Sequence, residues 1–351
     1  MTTTSIPAVL PQKPWQASPT QRLVSSLVLL AAIATSYILV ALTSMKGKLA
    51  YFSVFFIAFA MYDFVFHFAK RGLPAAKDAL ARAVIVLGIA LAVFPIISIL
   101  ATVFMRGYKG LHWGLFTHDM KLNSVSDPIS QGGLLHAITG TAMLVVVALI
   151  ISVPLGILTA VYMTEVRGRF LKPIKFLVQA MSGVPSIVAG LFILSSIVYT
   201  VTKSYSGFVG SLALSILMIP TVARTSEEVL LLIPHDLREA GTALGGTQWR
   251  TVAMVVIPAA RSGLVTAMIL GVARIAGETA PIILLTGGGD SVNGNPFRGP
   301  MGSLPFYIWK AYAVGTPESI TRAWAGIFVL LAIVLVLFIS ARLLSGRRSS
   351  R

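Results

Sequence analysis

The segment DLREAGTALGGTQWRTVAMVVIP, residues Asp236–Pro258, is the one long polar, helix-forming stretch set between two apolar runs of the chain. Asp236 is a suitable N-cap, and Glu239 three residues later completes a capping-box pattern. Apolar residues recur after the cap at the spacing of one helix face: Leu237, Ala240 and Leu244. The pattern predicts a helix that starts at Asp236.

The pair Gly245-Gly246 follows this helix, and glycine accepts the left-handed conformation that ends many helices. Thr247 can cap a second helix from Gln248 to Val256, and Pro258 predicts a break before the next apolar run. The segment is therefore predicted to form a helix–turn–helix, whose small residues let a partner surface approach the backbone closely. An ordinary amphipathic connector between two spans explains the periodicity equally well.

The composition is that of a membrane protein. The 351 residues are 56% hydrophobic and 11% charged, whereas about a quarter of the residues in a soluble domain are charged. Apolar runs of about 20 residues, long enough to cross a hydrocarbon core, recur along the whole chain. We therefore predict an all-α polytopic protein embedded in the lipid bilayer of the cell (plasma) membrane.

Eight membrane spans are predicted from the apolar runs: Val24–Thr43, Ala50–Ala69, Ala83–Met105, Ala137–Met163, Ile174–Thr200, Gly207–Ala223, Gly263–Thr286 and Ala323–Leu344. With the N-terminus in the cytoplasm, the cytoplasmic segments hold roughly twice as many Lys and Arg residues as the outer segments, as the positive-inside rule requires. Both termini and residues 236–258 are therefore predicted to be cytoplasmic. Basic loops at an anionic membrane face also explain the net charge of +16, so no nucleic acid partner is expected.

Several kinds of chemistry lack the residues they need. The chain has no cysteine, which excludes a disulfide framework and a thiolate site. Walker A, HExxH and GxSxG motifs are absent, so we expect no catalytic residue, no metal and no cofactor. Any ATP-driven step must use an ATPase on another chain. His112 and His118 are interpreted as loop histidines, with a two-histidine metal site as the alternative.

Arg274 and Glu278 are the most informative residues inside a predicted span. They lie near the middle of Gly263–Thr286 at positions i and i+4, so one helix face is predicted to carry both. A lone charge at that depth is costly and must face a partner or a wet cavity. The guanidinium fork matches the oxygens of an oxyanion, and Glu278 would hold the arginine in place. A structural ion pair is the alternative.

The segment 236–258 resembles the signature of ABC importer permeases, EAAx(3)Gx(9)IxLP, with the same spacing throughout. It departs mildly, with Gly241 for Ala, Val255 for Ile and Ile257 for Leu. In that family this loop is a coupling helix that docks in a groove of the cytoplasmic ATPase, and the glycine marks its turn. The resemblance implies an ATPase-coupling role for Glu239, Ala240, Gly241 and Gly245.

Further stretches are similar to the phosphate ABC transporter permeases of the PstA type: GGLLHAITGT (132–141), PLGILTAVYMTE (154–165), SGVPSIVAGLFI (182–193), LMIPTVARTSEEVLLLIP (217–234) and ARIAGETAP (273–281). The likeness extends from about Ala83 to Leu344. It implies a phosphate path that uses Arg274, Glu278 and Arg224. For Arg224 the ordinary alternative is a basic residue at the cytoplasmic end of a span.

The family core has six spans, so the resemblance implies four parts: a disordered cytoplasmic tail, residues 1–22; an additional two-helix membrane segment, 23–82; the permease domain, 83–344, with its coupling-helix loop at 226–262; and a basic cytoplasmic tail, 345–351. The additional segment carries Asp63 and His67 on one helix face. They are either a proton-linked or partner site, or two polar groups near the membrane boundary within reach of Lys70 and Arg71.

The resemblance also implies partners. Two permeases, two cytoplasmic ATPase subunits and an external phosphate-binding protein would form the transporter, with inorganic phosphate as the substrate. The second permease is expected to be homologous but not identical, which makes the pair a heterodimer, and this chain performs no covalent chemistry. The alternatives are a permease for another oxyanion, an ATPase-independent secondary transporter or channel, and a membrane-embedded enzyme.

Overall fold

The computed structural model describes residues 19–43 and 46–346, which leaves residues 1–18 and 347–351 of the two predicted tails outside it. The helices in chain order are α1 (Pro19–Leu42), α2 (Lys48–Gly107), α3 (Gly114–Thr117), α4 (Leu135–Val161), α5 (Leu171–Ser182), α6 (Ser186–Ile193), α7 (Gly207–Leu231), α8 (His235–Ala243), α9 (Gln248–Thr251), α10 (Ile257–Ala276), α11 (Ala280–Leu285), α12 (Leu304–Val314) and α13 (Pro317–Gly346). Turns of π-helix extend α4, α6 and α9: Tyr162–Val166, Leu194–Thr202 and Val252–Val256.

The prediction of an all-α membrane fold is confirmed. Within the described residues, six helices are long and apolar enough to cross a membrane, and the bent pair α5–α6 makes a seventh candidate span. By its internal contacts the chain divides into two compact units, Met1–Leu100 and Ala101–Arg351. The predicted boundary between residues 82 and 83 stays a prediction.

In the first unit, α2 folds back on itself. Gly72 interrupts the helix with φ 78° and ψ −171°, a conformation that glycine adopts without steric cost. The rings of Phe52 and Phe94 lie 6.2 Å apart, whereas a straight helix would separate these residues by about 60 Å. The predicted spans Ala50–Ala69 and Ala83–Met105 therefore belong to the two arms of one hairpin.

Asp63 and His67 share one face of the first arm, as predicted, with His67 Nδ1 3.2 Å from Asp63 Oδ1. Their cationic neighbour is Arg82 of the second arm, whose Nη2 lies 3.5 Å from Asp63 Oδ2 and 3.3 Å from His67 Nε2. Lys70 lies instead over the ring of Phe66, 4.7 Å from its centroid. The cluster links the two arms of the hairpin.

In the second unit, α7 is the central helix, which α4, α5, α6, α10 and α11 all contact. Gly156 of α4 and Gly271 of α10 both face Val222 of α7, and a Cβ built on them would lie 2.8 Å and 2.9 Å from its methyl groups. Small residues at such contacts let membrane helices pack closely, which matters because lipid supplies no hydrophobic drive between them. The buried core of the unit surrounds this contact and includes Leu144, Leu214, Met218, Ile275 and Ile282.

A buried arginine near the start of α13 holds the long connecting segment that precedes α4. Arg322 is 1% exposed, and its Nη2 donates hydrogen bonds of 3.3, 2.8 and 2.6 Å to the carbonyls of Asp127, Pro128 and Gln131. An ion pair lies in the other long connecting segment, where Lys310 Nζ is 2.6 Å from Asp290 Oδ2.

The two histidines of the first connecting segment have different surroundings. His118 Nδ1 lies 3.0 Å from Thr117 Oγ1, whereas burial lowers the pKa of His112.

The predicted span Ile174–Thr200 is not continuous. It bends by 103° between α5 and α6. Pro185 lies at the break, where it is the N-cap of α6. The helix breaks there because a proline cannot supply the N–H that would continue it. Apolar composition alone did not reveal this break, since hydropathy carries no information on backbone hydrogen bonding.

We expect Gly271→Leu to destabilise the second unit. A Cβ alone would lie 2.9 Å from side-chain atoms of Met218 and Val222, and overpacking a close-packed core costs about 1–3 kcal/mol. The control is Gly88→Leu, which adds the same side chain to a helical glycine that has nothing within 4 Å of its Cβ position. Thermal unfolding in detergent measures both, and a Gly271→Leu melting temperature equal to that of the control would contradict the packing role.

Candidate functional site

The polar segment forms the predicted pair of helices, but its start differs from the prediction. The N-cap of α8 is Pro234, with an extended ψ of 144°, so Asp236 lies in the first turn and does not cap. The predicted capping box is therefore wrong. Proline needs no N–H at a helix start, which lets the helix begin directly at His235, and Glu239 Oε1 lies 3.1 Å from His235 Nδ1 instead.

The turn between the two helices is the one that the glycine pair predicted. Gly245 has φ 79°, which confirms the left-handed helix end. Gly245 N donates to Thr242 O at 2.9 Å, and Gly246 N donates to Gly241 O at 3.2 Å. This pair of bonds is the Schellman motif. The path of the turn is therefore set by local hydrogen bonds.

The second helix is capped as predicted, because Thr247 Oγ1 accepts a first-turn backbone N–H of α9 at 3.4 Å. The break predicted at Pro258 is wrong, since the helix continues over Gln248–Ala276. A π-helical turn precedes the proline, and in it Ile257 donates its N–H to Val252 O. The wider turn accommodates the missing proline donor without interrupting the helix.

The two helices of the segment meet at Gly241. A Cβ on this residue would lie 2.6 Å from Thr251 Cγ2, and Thr251 is buried. Glu239, Ala240 and Gly245 lie on the exposed surface of the segment. The same segment exposes large apolar side chains: Leu244 at 90%, Trp249 at 63% and Met254 at 74%. Apolar groups of this size on a polar segment are typical of a surface that a partner covers.

The two predicted arginines, Arg274 and Arg224, lie on the same side of α7. Arg274 Nη1 of α10 donates to Thr221 Oγ1 of α7 at 3.3 Å. Arg224 follows Thr221 by three residues on α7, which is about one helical turn. The structure therefore brings both predicted arginines to the same side of one helix. Among the described residues, Arg274 forms no ion pair within 4.0 Å of a carboxylate.

Glu278 does not share a helix face with Arg274, and that prediction is wrong. α10 ends at Ala276, and Glu278 lies in the turn before α11, where its N–H donates to Ile275 O at 3.2 Å. The break has a local cause: Pro281 has no N–H to donate to the carbonyl of Gly277, four residues earlier. Glu278 is half-buried at the break between α10 and α11. Broken membrane helices recur at the binding sites of membrane transporters.

Arg224 differs from Arg274 because it has a carboxylate partner. Its Nη1 lies 3.2 Å from Glu227 Oε2, and Lys175 Nζ of α5 lies 2.8 Å from Glu227 Oε1. The Glu227 side chain is 6% exposed, whereas that of Arg224 is 47% exposed. The helix continues to Leu231, so Arg224 lies inside α7, and its predicted position at the cytoplasmic end of a span stays a prediction.

Sequence reasoning missed three side chains of this site: Thr221, Glu227 and Lys175. Glu227 stands in the stretch 217–234, and its i, i+3 spacing from Arg224 is the signal that could have revealed the pair. Lys175 had no such signal, because it reaches Glu227 from another helix. Together the four charged groups of this region, counting Arg274, carry an excess of positive charge.

The fold is that of an ABC importer permease subunit. A crystal structure of a bacterial ABC transporter involved in the import of the acidic polysaccharide alginate matches 78% of this chain and 97% of its own chain, with a TM-score of 0.56 and 16% identity. The alginate transporter in complex with an alginate pentasaccharide-bound periplasmic protein matches 78% of this chain and 96% of its own, with a TM-score of 0.57 and 16% identity.

Residues 152–350 match the model of the family described as binding-protein-dependent transport system inner membrane component. The phosphate transport system permease protein PstA 1 of Mycobacterium tuberculosis (strain CDC 1551 / Oshkosh) is 36% identical over 76% of this chain and 88% of its own length. The PstA proteins of Mycobacterium leprae (strain TN) and Pasteurella multocida (strain Pm70) are 38% and 37% identical, over 74% and 81% of this chain and 86% and 98% of their own lengths. This chain belongs to the PstA permeases of that family, a multi-pass membrane protein and a transport component.

We expect Gly241→Ala to destabilise the coupling segment. The signature has Ala at this position, but here the added Cβ would lie 2.6 Å from Thr251 Cγ2, and relieving such a clash costs about 1–3 kcal/mol. Thr251→Ser removes that methyl group and keeps the hydroxyl. The double variant Gly241→Ala with Thr251→Ser should therefore recover the melting temperature that Gly241→Ala loses. Additive losses in the double variant would show that the two residues do not constrain each other.

Proposed function

We propose that this chain is the transmembrane permease subunit of an ATP-driven importer of inorganic phosphate, and that it lines the translocation path. One observation supports the substrate path above others. Arg274, in the membrane-spanning helix α10, is bonded to a neutral hydroxyl, so its charge is available to a passing anion. The names of the PstA relatives support phosphate as that anion.

The arginines have unequal roles in this proposal. Arg274 binds the oxyanion directly, because a guanidinium fork matches phosphate oxygens. Arg224 contributes less, since Glu227 already accepts its Nη1 hydrogen bond. Glu278, in the turn between α10 and α11, limits how tightly the anion is held. The turns at the two broken spans line the path, where irregular backbone is tolerated because it faces water.

The proposed coupling site is the exposed face of the polar segment, with Glu239, Ala240 and Gly245 at its surface and Gly241 beneath it. This face docks on a cytoplasmic ATPase carried by another chain. ATP binding closes the ATPase pair, and the segment transmits the motion to the spans. The apolar side chains exposed beside it, Leu244 and Trp249, support contact with a partner.

The assembly we propose contains this chain, a homologous non-identical permease, two ATPase subunits and an external phosphate-binding protein. Both termini of the chain are cytoplasmic, on the strength of the Lys and Arg distribution. The chain comprises a cytoplasmic tail (1–22), an additional two-helix segment (23–82), the permease domain (83–344) with the coupling loop (226–262), and a basic tail (345–351).

We expect Arg274→Gln to lower phosphate uptake by about tenfold or more, because a hydrogen bond to a charged group contributes about 1.5–3 kcal/mol. Arg224→Gln is the matched control and should have a smaller effect, since Arg224 already has a carboxylate partner in Glu227. Uptake of radiolabelled phosphate, normalised to the amount of protein in the membrane, measures both. Uptake by the Arg274→Gln variant near the parent level would contradict the proposal and show that Arg274 has only a structural role.

A competition experiment tests the substrate. Inhibition of phosphate uptake by unlabelled sulfate that exceeds inhibition by unlabelled phosphate would identify another oxyanion as the substrate.

We expect Gly245→Asp to uncouple transport from ATP hydrolysis while leaving membrane insertion intact. Asp tolerates the left-handed conformation better than most residues, and nothing lies within 4 Å of the Gly245 Cβ position, so the change alters the docking face more than the fold. Gly315→Asp is the control, because Gly315 has φ 77° and equally open surroundings at the end of α12. Equal phosphate transport per ATP in the two variants would contradict the coupling role.

A further inference from the structure

We propose that Arg238 is a positioning residue that fastens the coupling segment to α4 and α7, so that these three elements move as one body. The inference rests on the proposed coupling function, because it specifies how motion of the segment reaches the spans. Arg238 is a residue of α8 that the signature does not include.

The first contact of Arg238 is bidentate. Its Nη2 donates to Glu165 Oε1 at 2.8 Å and its Nε donates to Glu165 Oε2 at 3.0 Å. Glu165 lies in the π-helical turn that extends α4. The side chains of Arg238 and Glu165 are 20% and 7% exposed, so water screens the pair little. A bidentate pair of this kind fixes orientation as well as distance.

The second contact of the same guanidinium is with the end of α7. Nη2 also donates to Leu230 O at 2.8 Å, and Nη1 donates to Ile233 O at 2.6 Å. Leu230 is in the last turn of α7, and Ile233 lies in the short connection that follows it. One side chain therefore bridges the coupling segment to both α4 and α7.

A separate hydrogen bond ties the second helix of the segment to the same point. Gln248 Nε2 of α9 donates to Glu165 O at 2.6 Å. The hydrogen bond that Arg238 donates to Glu165 raises the pKa of Arg238 above its ordinary value, so the guanidinium stays charged.

The attachment has a mechanical consequence. α4 and α7 pack together at Gly156 and Val222, and α7 also carries Thr221, the partner of Arg274. Displacement of the segment by the ATPase therefore reaches Thr221 and, through it, Arg274 by way of α7 without an intervening flexible loop. Removing Arg238 leaves Glu165 buried without its cation, which is strongly unfavourable, and releases the segment from both helices.

The first experiment uses the complete transporter in proteoliposomes, with both permeases, the ATPases and the phosphate-binding protein. We expect Arg238→Gln to lower the phosphate moved per ATP hydrolysed by about tenfold, within the usual range of coupling between two sites, while the ATPase subunits stay bound. Arg238→Lys, which keeps the charge but loses the fork, should lie between this variant and the parent. Arg71→Gln, at an exposed arginine of α2 outside the coupling segment, is the control.

The outcomes of this experiment are separable. A parent transporter that moves no phosphate on ATP hydrolysis would overturn the proposed function itself. If the parent transporter moves phosphate on ATP hydrolysis and the Arg238→Gln variant moves as much phosphate per ATP as the parent, only the role of Arg238 is overturned. A fall in transport with an equal fall in ATP hydrolysis would mean that the residue supports assembly and not the transmission of motion, which also contradicts the proposal.

The second experiment needs no variant of Arg238. The natural chain has no cysteine, so Leu158→Cys on α4 and Ala243→Cys on α8, both exposed, can be spin-labelled selectively in the assembled transporter. We expect the distance between the two labels to be the same in the nucleotide-free and ATP-bound states. A distance that changes between these states would overturn the proposal, because it would show that the segment moves relative to α4.

Discussion

The contact of α4 and α10 with Val222 of α7 is the constraint on which the rest of the second unit depends. Lipid solvates apolar side chains as well as a protein interior does, so membrane helices are held together by close packing and by polar bonds. Gly156 and Gly271 allow that packing on two sides of one valine. Because α7 is held in this way, Thr221 and Arg224 have fixed positions, and so do the terminal carbonyls that bind Arg238.

Three charged groups of this unit have several polar partners each, and Arg274 differs from them. Glu227 lies between two cations, Arg238 is paired with Glu165, and Arg322 is bonded to three carbonyls. Arg274 bonds only to a hydroxyl among its described partners. Incomplete neutralisation of a charge within a membrane span is unfavourable, and proteins accept such a cost where function requires it.

Local predictions succeeded where the responsible interaction lies within a few residues. The left-handed Gly245 and the Thr247 cap follow from steric and hydrogen-bonding preferences that act along one turn. The predictions for Asp236, Pro258 and Glu278 failed because each took the start, break or continuation of a helix from one residue and the ideal helix spacing, whereas the backbone hydrogen bonds of neighbouring residues decided it. Pro234 started α8 early, a π-helical turn carried the helix past Pro258, and Pro281 ended α10 before Glu278. Hydropathy reports the polarity of a segment and not its hydrogen-bond register.

The sequence by itself determined the membrane class, the apolar runs, the helix–turn–helix and the family, because composition, turn chemistry and motif spacing are properties of the chain read in order. Only the tertiary structure decided which charges meet. Glu165 and Arg238 are 73 positions apart, and Lys175 reaches Glu227 from a different helix. Such pairs depend on how helices pack, and helix packing is set by contacts summed over whole surfaces, which no local pattern in the sequence encodes.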